Sequence, residues 1–465
     1  MSLHFDDAVT LAAAIRRKEV SSREVLEAHL HRIEDTNPAV NAIVTLDVER
    51  ASADAAAADD RLAAGAEVGP LHGLPIAHKD LTDTAGLRTT YGSPLFAEHV
   101  PTRDDPIITR LRAAGVVTVG KTNTPELGLG SHTFNPVFGV TRNPYALDRS
   151  AGGSSGGAAA ALAAGMIPIA DGSDTGGSLR NPASFCNVVG LRPSPGRVRS
   201  GPSPTPWPSL STKGPMGRTV ADTALLMAVL AGDDSFAAPL HRDPRRLRVA
   251  WTPDLGGLLP VEPAVIDALE PAVRRFQEAG ADVVLDCPDL AAADEVFRVR
   301  RAWHLERLYG TLLDQHREAL KPDAVRNIEQ GRALKDADLD RADRLHTALQ
   351  RQVAEFFARY DALLAPVSQV VPFDADLVHP TSVAGVEMSD YLAWMGACST
   401  FSATHCPALS VPAAFTPEGL PVGLQVVGPP GQDRAVLEIG GAVEEACRAG
   451  RRRPPEPANP AAAGG

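Results

Sequence analysis

Apolar residues recur along this chain with two periods. Near the N-terminus the period is helical: Val9, Leu11, Ala12 and Ile15 share one face of a helix predicted over residues 6–18. Ser21-Ser22-Arg23-Glu24 reads as a capping box that opens a second helix through Ile33, with Asn37-Pro38 as its stop. Residues 51–64 form an Ala-rich helix closed by Gly65. Strands then alternate with helices. Residues 74–79 read as a short buried strand; a helix over 105–114, capped by Gly115, leads into a strand at 116–119. A small-residue helix at 157–164, closed by Gly165, leads into a strand at 167–170. Thr219 caps a helix to about residue 230, and strand, helix and strand follow at 247–251, 264–279 and 282–285. This alternation predicts a layered α/β fold with helices on both faces of a sheet.

Residues 290–360 break the pattern. They are charged, helical and poor in strands, and read as long helices on the outside, a lid or an interface. Strand character returns at 363–366, 408–411 and 423–427, and a helix at 435–447 closes the fold. Residues 451–465, rich in Arg, Pro, Ala and Gly, read as a disordered tail.

Composition narrows the class. The 465 residues are ample for a large core, and the 44% hydrophobic share is that of a globular protein. Gly 40 and Pro 39 sit in interior loops as well as the tail, which points to a loop-rich enzyme. A net charge of −12 argues against nucleic acid as a partner, since phosphate binding relies on clustered Lys and Arg. Cys186, Cys287, Cys398, Cys406 and Cys447 form no CxxC pair, and their scatter suggests free thiols in a reducing compartment. The N-terminus lacks the basic and apolar regions of a signal peptide. The most apolar stretch, 158–170, is 13 residues long and too short to span a bilayer. A cytoplasmic protein without a membrane partner is expected.

The candidate chemistry lies in two glycine-serine runs, Gly152-Gly153-Ser154-Ser155-Gly156-Gly157 and Gly172-Ser173-Asp174-Thr175-Gly176-Gly177-Ser178. Such loops can bring two hydroxyls and several free N–H groups around one point, as acyl transfer requires. Ser178 follows consecutive glycines that can turn main-chain N–H groups toward an anion, so it is the expected nucleophile. Ser154 is the expected second hydroxyl, with Ser155 as its rival. Lys79 ends an apolar strand, where desolvation would lower its pKa toward the range of a general base. Neither run fits GxxxxGK[ST], GxGxxG or GxSxG. His72, His78 and His132 lie near these segments without forming a recognisable Ser-His-Asp motif. No HExxH or HxH pattern occurs, so no metal and no cofactor are expected.

On these residues the chain resembles the amidase signature family. The likeness runs from about residue 73 to 230, and more weakly from 391 to 427. It is carried by Lys79-Asp80 after Gly-Leu-Pro, Lys121-Thr122-Asn123-Thr124-Pro125-Glu126, Phe138-Gly139-Val140-Thr141-Arg142-Asn143-Pro144, the two glycine-serine runs, and residues 183–193 and 214–222. The resemblance implies the amidase signature fold, a central mixed twisted β-sheet covered by helices on both faces. It implies one domain over 1–450, with N-terminal helices at 1–65, a signature core at about 70–230 and a helical insertion at about 290–360. It further implies hydrolysis of a carboxylic amide C–N bond through an acyl-enzyme on Ser178. The triad would be Ser178, Ser154 after a cis peptide, and Lys79 as base, with oxyanion donors on the backbone of Thr175, Gly176, Gly177 and Ser178. The acyl pocket falls on Leu127 to Ser131, so Gly128, Leu129, Gly130 and Ser131 are expected to meet a small, uncharged or weakly charged amide. Pro206-Trp207-Pro208 and residues 303–309 could wall that pocket. A homodimer is compatible with this reading. A carbamate or ester hydrolase, and the amidase subunit of a glutamine-dependent tRNA amidotransferase, are the alternatives. Two residues depart from the family pattern: Ala151 replaces a proline and Asn187 a glycine.

Overall fold

The capping box forms as the sequence predicts: the Ser21 side chain accepts from the Glu24 N–H, and the Glu24 carboxylate accepts from the Ser21 N–H at 2.8 Å. The computed structural model that shows this describes residues 3–201 and 210–456, so Pro206-Trp207-Pro208 and residues 457–465 lie outside it. Helix α1 (Ala8–Arg16) buries Ala8, Leu11, Ala12 and Ile15. Val9, expected on that face, is instead 42% exposed. Helix α2 (Ser22–Val40) runs past Pro38 rather than stopping there. Proline removes one N–H, but only in the last turn, and the Asn37 side chain gathers the chain beyond. Its Oδ1 accepts from the Ala42 and Ile43 N–H groups at 2.8 and 2.9 Å. Asn41, at φ 56°, ends the helix in the left-handed region that asparagine tolerates.

Among the described residues eleven strands form one mixed sheet. They are β1 (Ile43–Leu46), β2 (Pro75–Lys79), β3 (Val117–Thr122), β4 (Ile169–Asp174), β5 (Val189–Arg192), β6 (Thr212–Gly217), β7 (Arg248–Trp251), β8 (Asp282–Leu285), β9 (Ala362–Pro366), β10 (Ala408–Phe415) and β11 (Pro421–Val427). Their order is β1-β3-β2-β4-β6-β5-β10-β11-β9-β7-β8. β2 lies parallel between β3 and β4, and β7 parallel between β9 and β8; the other pairings are antiparallel.

Alternate residues of the central strands enter different cores, the signature of a sheet covered on both faces. Ile76 of β2 and Ile169 of β4 join the core filled by α1, α4 (Pro106–Ala113), α7 (Val220–Ala231), α8 (Pro263–Glu278) and α13 (Asp433–Cys447). Their neighbours Ala77 and Ala170 face α3 (Val48–Ala63) and α5 (Gly156–Ala163). Farther along the sheet, Leu363 and Ala408 face α9 (Ala293–His316), α11 (Asp336–Phe357) and α12 (Gly396–Ala403). Residues 290–360 therefore do more than lie outside. α9 buries Val296 and Phe297 in this third core, and Leu305 and Leu313 pack with α10 (Pro322–Ala333) over Leu127 and Leu129.

Residues 451–456, the start of the segment read as a disordered tail, lie against the body of the protein. The Arg452 carbonyl accepts from Tyr145 Oη at 2.7 Å, and Glu456 pairs with Arg32 at 2.6 Å. Asn187, where the family has glycine, holds φ 54° and donates from Nδ2 to the Ala449 carbonyl at 3.1 Å. Among the described residues no helix is long and apolar enough to cross a membrane, and all five cysteines are free thiols.

Helix α5 begins where two backbones nearly touch it. A Cβ on Gly157 would press on the Asn123 N and stand 2.7 Å from the carbonyl oxygens of Ala42 and Asn123. Alanine favours a helix by about 1 kcal/mol over glycine. Here overpacking against immovable backbone is expected to win, so Gly157→Ala should lose about 1–3 kcal/mol. A urea midpoint equal to or above that of the parent protein would contradict this.

Candidate active site

Two parallel strands end side by side, β2 at Lys79 and β4 at Asp174, on the edge where α/β sheets form clefts. Lys79 is fully buried. Its Nζ lies 2.8 Å from Ser154 Oγ, 2.9 Å from Ser155 Oγ and 3.0 Å from Ser173 Oγ. Burial lowers its pKa from the ordinary lysine value to about 7, against the opposing pull of Asp174 and Asp171. An ammonium here would have no bulk water, whereas a neutral amine can place its lone pair on a hydroxyl.

The Gly153–Ser154 peptide is cis. Ser154 faces a cavity of about 420 Å³, which Ser173, Thr175, Gly176 and Ser178 also line. Ser155 lies behind it, its N–H donating to the Ser178 carbonyl at 3.1 Å. Distance to Lys79 hardly separates the two serines; access to the cavity does.

The turn carrying Ser178 is fixed from beneath. Asp174 accepts from the Gly177 N–H at 2.8 Å and the Leu179 N–H at 3.2 Å. Its two oxygens also take a forked pair of bonds from Arg180, both at 2.9 Å, and Arg192 adds a second cation at 3.3 Å. Burial disfavours the Asp174 carboxylate, yet these two guanidiniums hold its pKa well below the usual range. Gly177 sits at φ 120°, and a Cβ there would stand 2.5 Å from Cys398 Cβ. The Gly177 N–H, one of four expected oxyanion donors, is thus committed to Asp174. Among the described residues the N–H groups of Thr175, Gly176 and Ser178 have no backbone or side-chain acceptor.

The histidines stand apart from Ser178. His72 Nε2 meets the Ala58 carbonyl at 3.0 Å, and His132 is held between Ser150 Oγ and the Ala375 carbonyl. His78 is buried next to Lys79, with Nδ1 2.6 Å from Asp171 Oδ1 and Nε2 3.1 Å from Thr118 Oγ1. Burial works against the Asp171 carboxylate, but His78 keeps its pKa below the ordinary value. The sequence reading points to neither this pair nor Ser173. The alternation of β4, which sets Asp171 and Ser173 on one side of the strand, is the signal that could have found them.

Of the residues expected to meet substrate, Gly128, Leu129 and Gly130 line the cavity. Ser131 does not; it is buried behind them, its Oγ without a hydrogen-bond partner among the described residues. Within the expected 303–309 wall, His304, Leu305, Leu308 and Tyr309 face the cavity, while Trp303 lies under Arg307. Phe297 and Met395 complete the apolar side. The expectation of an uncharged pocket rests on Leu127 to Ser131 alone. Other lining residues bring charge: Asp105 paired with Lys213, and Arg301 of α9. Arg301 escapes a sequence reading because a charged helix reads as solvated. Chemically, the site joins a near-neutral buried amine, a hydroxyl that can relay a proton, and a serine beneath unpaired N–H donors.

Comparison with known proteins follows the same lines. A model of the family described as Amidase matches residues 24–437. The acylamidase of Rhodococcus erythropolis is 34% identical over 455 residues, covering 94% of each chain. A glutamyl-tRNA(Gln) amidotransferase subunit from Thermosynechococcus vestitus is 36% identical over 468 residues, covering 92% of this chain and 95% of that one. Among solved structures, a bacterial aryl acylamidase described as an amidase signature enzyme superimposes with a TM-score of 0.88 at 28% identity. That match covers 96% of this chain and 97% of that one.

Proposed function

This chain belongs to the amidase signature family and is a hydrolase of amide C–N bonds, and we propose that it works through an acyl-enzyme on Ser178, with Ser154 as proton relay and Lys79 as base. One observation carries the reading: a fully buried Lys79 whose Nζ lies 2.8 Å from the hydroxyl of a serine that opens on the cavity.

In this mechanism neutral Lys79 takes the Ser154 proton as Ser154 takes that of Ser178. Ser178 Oγ attacks the amide carbon, and the developing oxyanion meets the N–H groups of Thr175, Gly176 and Ser178. The amine leaves with the proton returned through Ser154. Water, deprotonated along the same path, then cleaves the ester and frees Ser178. We take residues 1–450 as one catalytic domain and the substrate as a small molecule met in the cytoplasm. The cavity's size and the side chains of Phe297, Leu305, Leu308 and Tyr309 support a small molecule, and the net charge of −12 speaks against a nucleic-acid partner.

The identity to glutamyl-tRNA(Gln) amidotransferase subunits favours a second reading, the amidase subunit of a glutamine-dependent tRNA amidotransferase. Against it, the segment after Gly190-Leu191-Arg192-Pro193 lacks the Ser-Ser-Leu-Asp-Gln run that such subunits usually carry near there. Copurification with a tRNA-binding partner would favour the assembly. Turnover of simple anilides, carbamates or esters by the isolated chain would favour the free hydrolase.

Three outcomes are expected. Ser178→Ala should remove amide hydrolysis by several orders of magnitude and abolish labelling by a fluorophosphonate. Retention of more than about a tenth of kcat, less than roughly 1.4 kcal/mol of barrier, would exclude Ser178 as nucleophile. Ser154→Ala should cost far more in kcat than Ser155→Ala, because only Ser154 reaches the cavity; equal costs would remove its relay role. Finally, kcat/KM should fall as pH drops through about 7, since protonation of Lys79 takes away the base. Lys79→Arg should not restore activity, because a guanidinium keeps its proton. A flat profile from pH 6 to 8 would count against Lys79.

A further inference from the structure

Three arginines lie within one turn of α9, and the structure treats them differently. Arg298 is paired with Asp294 at 2.8 Å and Asp390 at 2.6 Å, and Arg300 with Asp343 at 2.7 Å. Arg301, 6% exposed and the most buried of the three, has no carboxylate within 4 Å among the described residues. Nor do residues 202–209, the one internal segment left undescribed, contain an acid. Its guanidinium donates to Asn327 Oδ1 and Tyr391 Oη, both neutral, and lies 5.6 Å from the centre of the Tyr391 ring. Those two bonds use two of its five N–H groups.

Nearby acids are engaged elsewhere. Asp390, beside Tyr391, serves Arg298; Asp323, one turn before Asn327, lies 3.5 Å from Arg326. Asp105, which also lines the cavity, is taken by Lys213. Of the other basic side chains near this wall, Lys321 donates to the Leu129 carbonyl, and burial and Arg301 both lower the pKa of His304. A desolvated cation without an anion is costly, and its fixed contacts hold it facing the space where substrate must sit.

We propose that Arg301 is the anion anchor of this cavity, and that the preferred substrates are amides bearing a carboxylate on the acyl or the amine portion. The carboxylate accepts from the free guanidinium N–H groups as a charge-assisted pair, while the amide carbonyl lies at Ser178. This inference rests on the reading of the cavity as the site of amide hydrolysis. It replaces the uncharged substrate expected from Leu127 to Ser131.

Two matched pairs of anilides test it: succinic against butyric 4-nitroanilide for the acyl side, and 4-acetamidobenzoate against acetanilide for the amine side. The parent protein should favour the carboxylate in one pair by about tenfold or more in kcat/KM, chiefly through KM. Arg301→Met should bring that ratio toward one, and Arg301→Lys should keep part of it. A ratio of one in both pairs for the parent protein, or a preference that Arg301→Met leaves intact, overturns the proposal. Calorimetry on full-length Ser178→Ala separates binding from turnover. At least tenfold tighter binding of the anionic member of one pair supports the anchor even where no anilide is hydrolysed, in which case only the catalytic reading fails. Equal affinity in both pairs overturns the anchor, and this measurement still decides if Arg301→Met does not fold.

Discussion

The buried cluster of Asp174, Arg180 and Arg192 is the constraint on which the rest of the site depends. It joins the end of β4, the helix α6 (Arg180–Phe185) and β5, and Arg180 reaches on to Gln425 of β11 at 2.7 Å and Ser402 of α12 at 2.9 Å. Several separate elements therefore agree on the position of one carboxylate, and that carboxylate dictates the turn from 175 to 178. A buried ion pair is seldom a net source of stability, since desolvation offsets most of its attraction. What it supplies here is geometry: the oxygens that face two guanidiniums also hold the N–H groups of Gly177 and Leu179. The cluster matters to Lys79 as well. A lone carboxylate so near would favour the ammonium, whereas one already shared by two cations leaves burial as the dominant influence.

Much of this is legible in the sequence because local chemistry and tertiary demand agree. The capping box at Ser21, the αβ alternation and the two glycine-serine runs each state a local requirement that the fold then uses. β5 and β6 are not legible, and the reason is physical. Thr212 to Gly217 contains two glycines and a proline, poor strand formers, and is held in the sheet by burial between β4 and β5. Pro38 misleads in the opposite sense, since the Asn37 side chain compensates for what the proline ring removes. Lys79, Ser154 and Ser178 can be named because the family's motifs surround them. Ser173 needs the alternation and register of β4 to be read as well, and Arg301 cannot be named, because its meaning lies in the carboxylate that is absent beside it.

The cavity combines two kinds of wall. The floor, from β2, β4 and the turns after them, is built by the signature segments and carries Lys79, Ser154 and Ser178, the groups of the proposed mechanism. The upper wall comes from α9, which packs together with α10 over Leu127 and Leu129. A segment that reads in sequence as a charged outer layer thus decides what the floor encounters. Phe297 shows how closely the two fit: any side chain at Gly176 would meet its ring, with a Cβ only 2.7 Å from Cζ.

The burial of Lys79 also ties protonation to the endurance of the fold. Its pKa is near 7 in the native protein and returns to the ordinary lysine value, 10.5, once the chain unfolds. Between those values the unfolded chain binds a proton that the native one does not, so this residue's contribution to stability grows as pH rises from about 7 toward 10.5. Below pH 7 the native protein must accommodate a charged amine among three hydroxyls, and it is least favoured there. As pH falls from 10.5 to about 7 this contribution is withdrawn, and only below that does the native amine, the base of the proposed mechanism, take up its proton. For this lysine the form that the proposed mechanism uses is also the durable one, and thermal tolerance at mildly alkaline pH would come with activity rather than at its expense.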